Sequence, residues 1–222
     1  MQAIDALLPE IDGLTWFNRL YLDVTKAVAA RVAAREFQDP LWIADLDVRF
    51  AALYFSALSR WLAGASAPEC WRALFERRSD AAIARIQFAL AGVNAHINHD
   101  LAEAIVLTCV EAGGDPSHGS AHYADYVALN PTLDALIETA KRELLVRLPG
   151  IPLPAATHIE DTIAAWNIGA AREIAWTNAE VLWRLRGEKP LAQRYLDALD
   201  GTATLAGKAL LVPTPIAAGA GA

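Results

Sequence analysis

The stretch IQFALAGVNAHINHDLAEAIVLTCV, residues 86–110, decides how this chain folds. Apolar residues fall on every side of a helical wheel, so a helix here has no face to offer water and belongs among other helices. A membrane span needs about 20 nearly uninterrupted apolar residues. This stretch is broken at its centre by Asn94, His96, Asn98, His99 and Asp100, a combination costly in lipid. The expected protein is all-α: an irregular helical bundle around one long central buried helix, with no transmembrane segment.

The flanking segments carry helix punctuation. Thr15 reads as the N-cap of a first helix ending near Ala34. Asp39-Pro40 opens a second that runs to about Ala63, ahead of Gly64. A shorter helix covers Pro68 to Arg78, and Ser79 or Asp80 caps the long one, which stops at Gly113-Gly114. A loop holding His118 leads to a short helix over His122 to Ala128. Pro131 opens the next, which ends before Pro149 in a proline-rich stretch that cannot be helical throughout. A late helix runs from about His158 to Arg186, and a last one from Pro190 to about Ala206. No period-two alternation and no internal repeat appears. The expected organisation is one helical domain over 1–206 and a flexible Pro/Gly/Ala tail over 207–222.

Charge and cysteine usage narrow the partners. The net charge is −7 and no basic stripe is visible, which argues against nucleic acid and anionic membrane surfaces. The two cysteines, Cys70 and Cys109, form no Cys-x-x-Cys pattern, so a reducing cytoplasm is the expected compartment. The first residues carry Asp5, Glu10 and Asp12 rather than the basic and apolar run of a secretory leader.

The polar interruption is the candidate site. Buried polar groups must find partners or each costs roughly 1–3 kcal/mol. His96 and Asp100 share a helical face and can form a hydrogen-bonded acid/base pair or hold one cation together. His122 is a further candidate ligand for such an ion. Asn94 and Asn98 lie on a second stripe and could contact a substrate. Asp47 sits on the apolar stripe Ile43, Phe50, Tyr54, Leu58, and Arg172 on the stripe Ile168, Trp176, Ala179. Charges in such places either pair with each other across the core or face a cavity at His96. Tyr21, Tyr54 and Trp176 would be the walls of that pocket. Asp45 and Arg49, by contrast, read as a solvated i,i+4 pair, and His118 as a surface histidine.

The stretches Trp16 to Tyr21, Asp47 to Phe55, Gly92 to Leu101 and Ala171 to Trp176 resemble a bacterial and fungal domain-of-unknown-function family, number 5995. The likeness runs from about Trp16 to Trp183, and Asn94-Ala95-His96-Ile97-Asn98-x-Asp100-Leu101 is its most specific piece. It supports the choice of site and carries no reaction. Gly92-x-x-x-His96-x-x-x-Asp100 is also similar to a zinc-binding helix of the all-α zinc-dependent phospholipases C and single-strand nucleases. That likeness implies His96 and Asp100 as ligands of a divalent metal ion such as zinc, which would activate water. The chain departs from that group, since its five histidines are scattered.

Three functions remain open from the sequence. The first is a metal-dependent hydrolase of a small or lipid-like ester or phosphoester. There His96, Asp100 and His122 or Asp47 form the site, and Arg172 stabilises developing negative charge. The second is a metal-free lyase or cyclase in which His96, tuned by Asp100, is the acid/base. The third is a non-catalytic helical module for a small-molecule or lipid-like ligand.

Overall fold

The protein was analysed as a computed structural model, which describes residues 1–145 and 167–213. Among these the helices are α1 (Gln2–Leu7), α2 (Gly13–Ala33), α3 (Pro40–Leu62), α4 (Glu69–Arg77), α5 (Arg85–Ala95), α6 (Leu101–Ala112), α7 (Ala121–Ala128), α8 (Asn130–Leu145), α9 (Ile168–Leu185) and α10 (Lys189–Leu210). No strand occurs among the described residues, so the all-α expectation holds. The proline-rich stretch from Pro149, the expected start of the late helix near His158, and Trp166 lie outside the described residues.

Capping explains most boundaries, and in places corrects the expected ones. The Asp12 carboxylate accepts from Leu14 N–H and starts α2; Thr15 instead donates its hydroxyl to the Pro9 carbonyl. Asp39 caps α3 with Pro40 in its first turn, as expected. Ser120 and Asn167 cap α7 and α9 through Tyr123 N–H and Ala170 N–H. Asp80 caps no helix. It organises a turn by accepting from Ala82 N–H, and the helix begins only at Arg85. At the far end α10 continues to Leu210, and Leu210 and Leu211 are buried. The tail therefore does not begin at residue 207: Gln87 donates to the Leu210 and Val212 carbonyls and ties this end to α5.

Between α5 and α6 the helix does not run on regularly. His96–Asp100 forms a π-helical turn in which Leu101 N–H bonds the His96 carbonyl, five residues back. Such wide turns carry an extra residue and often occur at functional sites. Leu90, Val93, Ile97, Leu101 and Ile105 are all buried. Helix α5 packs against α2 and α10, and α6 against α9 and α3.

The closest approach in this packing is at Gly92, where a Cβ would overlap the Phe17 ring. Alanine would gain about 1 kcal/mol of helix propensity, but the clash falls between two buried helices. Gly92→Ala is expected to lower the stability by roughly 1–3 kcal/mol net. An unchanged urea midpoint would mean that α2 can retreat from α5 at no expense.

Candidate functional site

The π turn gathers a buried hydrogen-bond cluster around Asp100. In a regular helix neighbouring residues point apart, yet here His96 and His99 both reach the Asp100 carboxylate. His96 Nδ1 lies 2.8 Å from Oδ2 and His99 Nδ1 2.6 Å from Oδ1. Trp71 Nε1–H of α4 donates to Oδ2 at 3.0 Å. A carboxylate can only accept, so each Nδ1 carries a proton. A neutral His96 then presents a lone pair at Nε2. Burial alone would push the Asp100 carboxyl up, but its bonds to the two histidines outweigh this and hold it down. Burial pulls His99 down, and the bond to Asp100 with the charges of Asp100, Asp200 and Glu103 brings it net upward. For His96 burial wins and the pKa is lowered. The cluster therefore favours an ionised Asp100, a cationic His99 and a neutral His96.

His96 is set within aromatic rings. Phe50 stacks on it at 3.4 Å between centroids, and Tyr21 meets it edge-on at 4.5 Å. Its Nε2 is buried and has no hydrogen-bond partner among the described residues, and the same is true of the Tyr21 hydroxyl.

Both residues line a cavity of about 70 Å³ that also touches Asp47 and Arg172. The remaining lining is apolar: Leu20, Val24 and Val28 from α2, Leu133 and Ile137 from α8, and others like them. Burial pushes the Asp47 carboxyl up to about 6. Burial likewise raises Tyr21 well above its ordinary value, helped by the Asp47 and Asp100 charges. Tyr21 is thus a phenol donor, and Asp47 a carboxyl that exchanges its proton near neutrality.

Arg172 reaches the cavity from α9. Of the two arrangements open from the sequence, the ion pair with Asp47 does not form. Instead Arg172 Nε donates to Asn130 Oδ1 and Nη2 to the Tyr126 carbonyl, each at 2.7 Å. The guanidinium lies 3.8 Å from the Tyr126 ring centroid, and Tyr126 O–H donates back to the Arg172 carbonyl. No salt bridge to Arg172 occurs among the described residues.

The other candidates lie elsewhere. Asp100 stands behind His96 rather than on the cavity wall. Asn94 donates to the Ala203 carbonyl and accepts from Asn98, so these two brace α10. Tyr54 packs below the site against Trp71 and Phe17. Trp176 packs against Trp42, Tyr123 and Tyr126 and does not line the cavity. His122 stacks on Trp42 and contacts Asp39 at 3.2 Å. His96, Asp100 and His122 therefore share no site. Both Asp100 oxygens are already engaged, which leaves His96 Nε2 as the one free donor that these three residues offer in this cavity, so this set does not fit the metal centre implied by the phospholipase likeness. Among the described residues no group of His, Cys, Asp or Glu large enough to hold a metal comes together. Asp45 and Arg49 pair at 2.8 Å as expected, and exposed His118 lies between Glu180 and Glu173. No helix among the described residues is long and apolar enough to cross a membrane.

Two contributors carry no sequence signal. Trp71 sits on a stripe with Leu74 and Phe75 that reads only as core. Asn130 reads as a residue before a proline.

No curated protein and no solved structure matches the chain. The model of a family of unknown function, DUF5995, matches residues 1–213, and the chain belongs to that family.

Proposed function

We propose that the cavity is the active site of a metal-free acid–base enzyme acting on a small, largely apolar molecule, such as a lyase or cyclase. One observation carries the reading. Among the described residues His96 Nε2 is buried without a hydrogen-bond partner while Nδ1 is fixed by an ionised Asp100, and His96 shares its cavity with the Tyr21 phenol. Groups whose environments push their pKa values away from the ordinary ones are what acid–base catalysis requires. In this scheme His96 Nε2 removes a proton from the substrate. Tyr21 O–H hydrogen-bonds the atom on which negative charge grows. The aliphatic walls exclude water and hold the substrate against His96. Asp100 is a positioning residue: it sets the His96 tautomer and steadies the imidazolium formed. The hydrolase reading has less support: of its two candidate third ligands, His122 is committed to Asp39, and Asp47 would share the cavity with His96 but not with Asp100, whose oxygens are engaged.

The test follows turnover of a fractionated cell lipid extract by mass spectrometry. Wild-type protein is expected to generate isomerised or dehydrated products without added metal and in the presence of EDTA. His96→Gln, still helical by circular dichroism, is expected to lose roughly 10²–10⁴ of the rate. Full turnover by His96→Gln, or complete loss in EDTA, defeats the proposal. A molecule that is bound and returned unchanged supports a binding module instead.

A further inference from the structure

The second charged wall of the cavity constrains the substrate. We infer that Arg172 is the docking point for the carboxylate of a small, otherwise apolar molecule whose body lies against Leu133, Ile137 and Ile168. The inference rests on the reading of the cavity as a substrate site, and names the class of substrate.

Arg172 is 5% exposed. A buried guanidinium ordinarily has an anion beside it, because a lone charge in an apolar setting is strongly disfavoured. Here the two bonds to Asn130 and the Tyr126 carbonyl use Nε–H and one Nη2–H. The remaining N–H groups of the fork have no hydrogen-bond partner among the described residues. The carboxylate whose field reaches the guanidinium is Asp134, which is solvent-exposed and beyond ion-pair distance. The fork is nevertheless rigid, since α7, α8 and the Tyr126 ring hold it from different sides. A planar, pre-oriented fork with open N–H groups is matched by a carboxylate, which accepts parallel hydrogen bonds.

Charge balance further limits the ligand. Asp47 lines the same cavity, and its field falls on Tyr21, at the His96 side. A second anionic group near His96 would meet that carboxylate. A monoanion with its charge at Arg172 and its uncharged portion toward His96 satisfies both walls. The lining between them is aliphatic, so the body of the ligand is apolar.

The experiment is isothermal titration of the full chain at pH 7.5 with decanoate, decanol and decylamine. Decanoate is expected to bind at least about tenfold more tightly than decanol, as one charge-assisted contact allows, with decylamine weakest. Arg172→Gln should remove the preference while leaving decanol binding in place. If Arg172→Gln does not fold, Ile137→Trp, which narrows the cavity, is expected to weaken decanoate binding at least about tenfold. Equal binding of decanoate and decanol, a preference for the amine, no binding of decanoate, or unchanged decanoate affinity in Ile137→Trp overturns the inference. His96-dependent turnover without a carboxylate preference overturns only this inference. Carboxylate binding without His96-dependent turnover overturns only the acid–base reading.

Discussion

Asp100→Ala is expected to lower the folding free energy by roughly 3–5 kcal/mol, the effect of breaking a buried charged network by removing one member. The substitution strands His96 Nδ1–H, His99 Nδ1–H and Trp71 Nε1–H, all buried around one carboxylate. It also leaves His99 without the anion that raises its pKa. A domain's total stability is about 5–15 kcal/mol, so the loss would consume a large part of it. Asp100→Asn keeps the size and one acceptor oxygen but turns an amide toward a donor, and should fall between wild type and alanine. Urea unfolding followed by tryptophan fluorescence measures both. A loss below about 1 kcal/mol for the alanine variant would show that the three donors find other acceptors and that the cluster is not a unit.

Asp47→Asn is expected to act in the opposite direction, and only above acid pH. Asp47 is half-buried and has no hydrogen bond or ion pair among the described residues, so its folded pKa of about 6 exceeds the unfolded value near 3.8. Only well below the unfolded value near 3.8 are both states protonated, and there the residue does not penalise folding. As pH rises from that value to about 6 the unfolded state ionises while the folded state still holds its proton, so stability falls, and above about 6 the loss is complete. The full effect is on the order of 3 kcal/mol. Asn cannot ionise, so the variant should be more stable than wild type at pH 8, and the gain should shrink to a small fraction of that by pH 4. Thermal melts across that range decide the matter; a gain that is the same at both ends would place the effect in packing rather than charge.

Much of the fold was legible because apolar periodicity and caps are local signals. The burial of Leu90, Val93, Ile97, Leu101 and Ile105 follows from their spread around the helix. Asp39-Pro40 marks α3, and Gly113, with its positive φ, ends α6. What failed was local chemistry with two uses. Asp80 can cap a helix or a turn, and the chain uses it for the turn. Nothing in HINHD distinguishes a π turn from an α-helical one, so the convergence of both histidines on Asp100 was not visible. For the site, charges on apolar stripes directed attention to His96 and Asp100 with Asp47 or Arg172; Asp47, His96 and Arg172 line one cavity, and Asp100 does not. The stripes could not say which side chains face the cavity and which face away. Tyr54 and Trp176 are as buried as Tyr21, and Asn94 and Asn98 are as polar as His96; only the packing of α10 and α4 assigns them their sides. The Asp47–Arg172 pair failed because Asn130 and the Tyr126 carbonyl, distant in sequence, claim the guanidinium first.

The π turn also sets the rotational phase of the bundle. Each residue of an α-helix advances the side chains by about 100°, so one extra residue between α5 and α6 offsets everything beyond it. A single stem can thereby turn one set of faces to α2 and α10 and, past the joint, a differently rotated set to α9 and α3. Removing one residue from His96–Asp100 would straighten the stem into an unbroken α-helix. Leu101 and Ile105 would then swing away from the partners they now touch, and half of the bundle would be out of step with the other. The joint that aims the histidines at Asp100 is thus also the gear that keeps the two halves of the fold in mesh, which makes its length, more than its exact composition, the quantity the chain cannot vary.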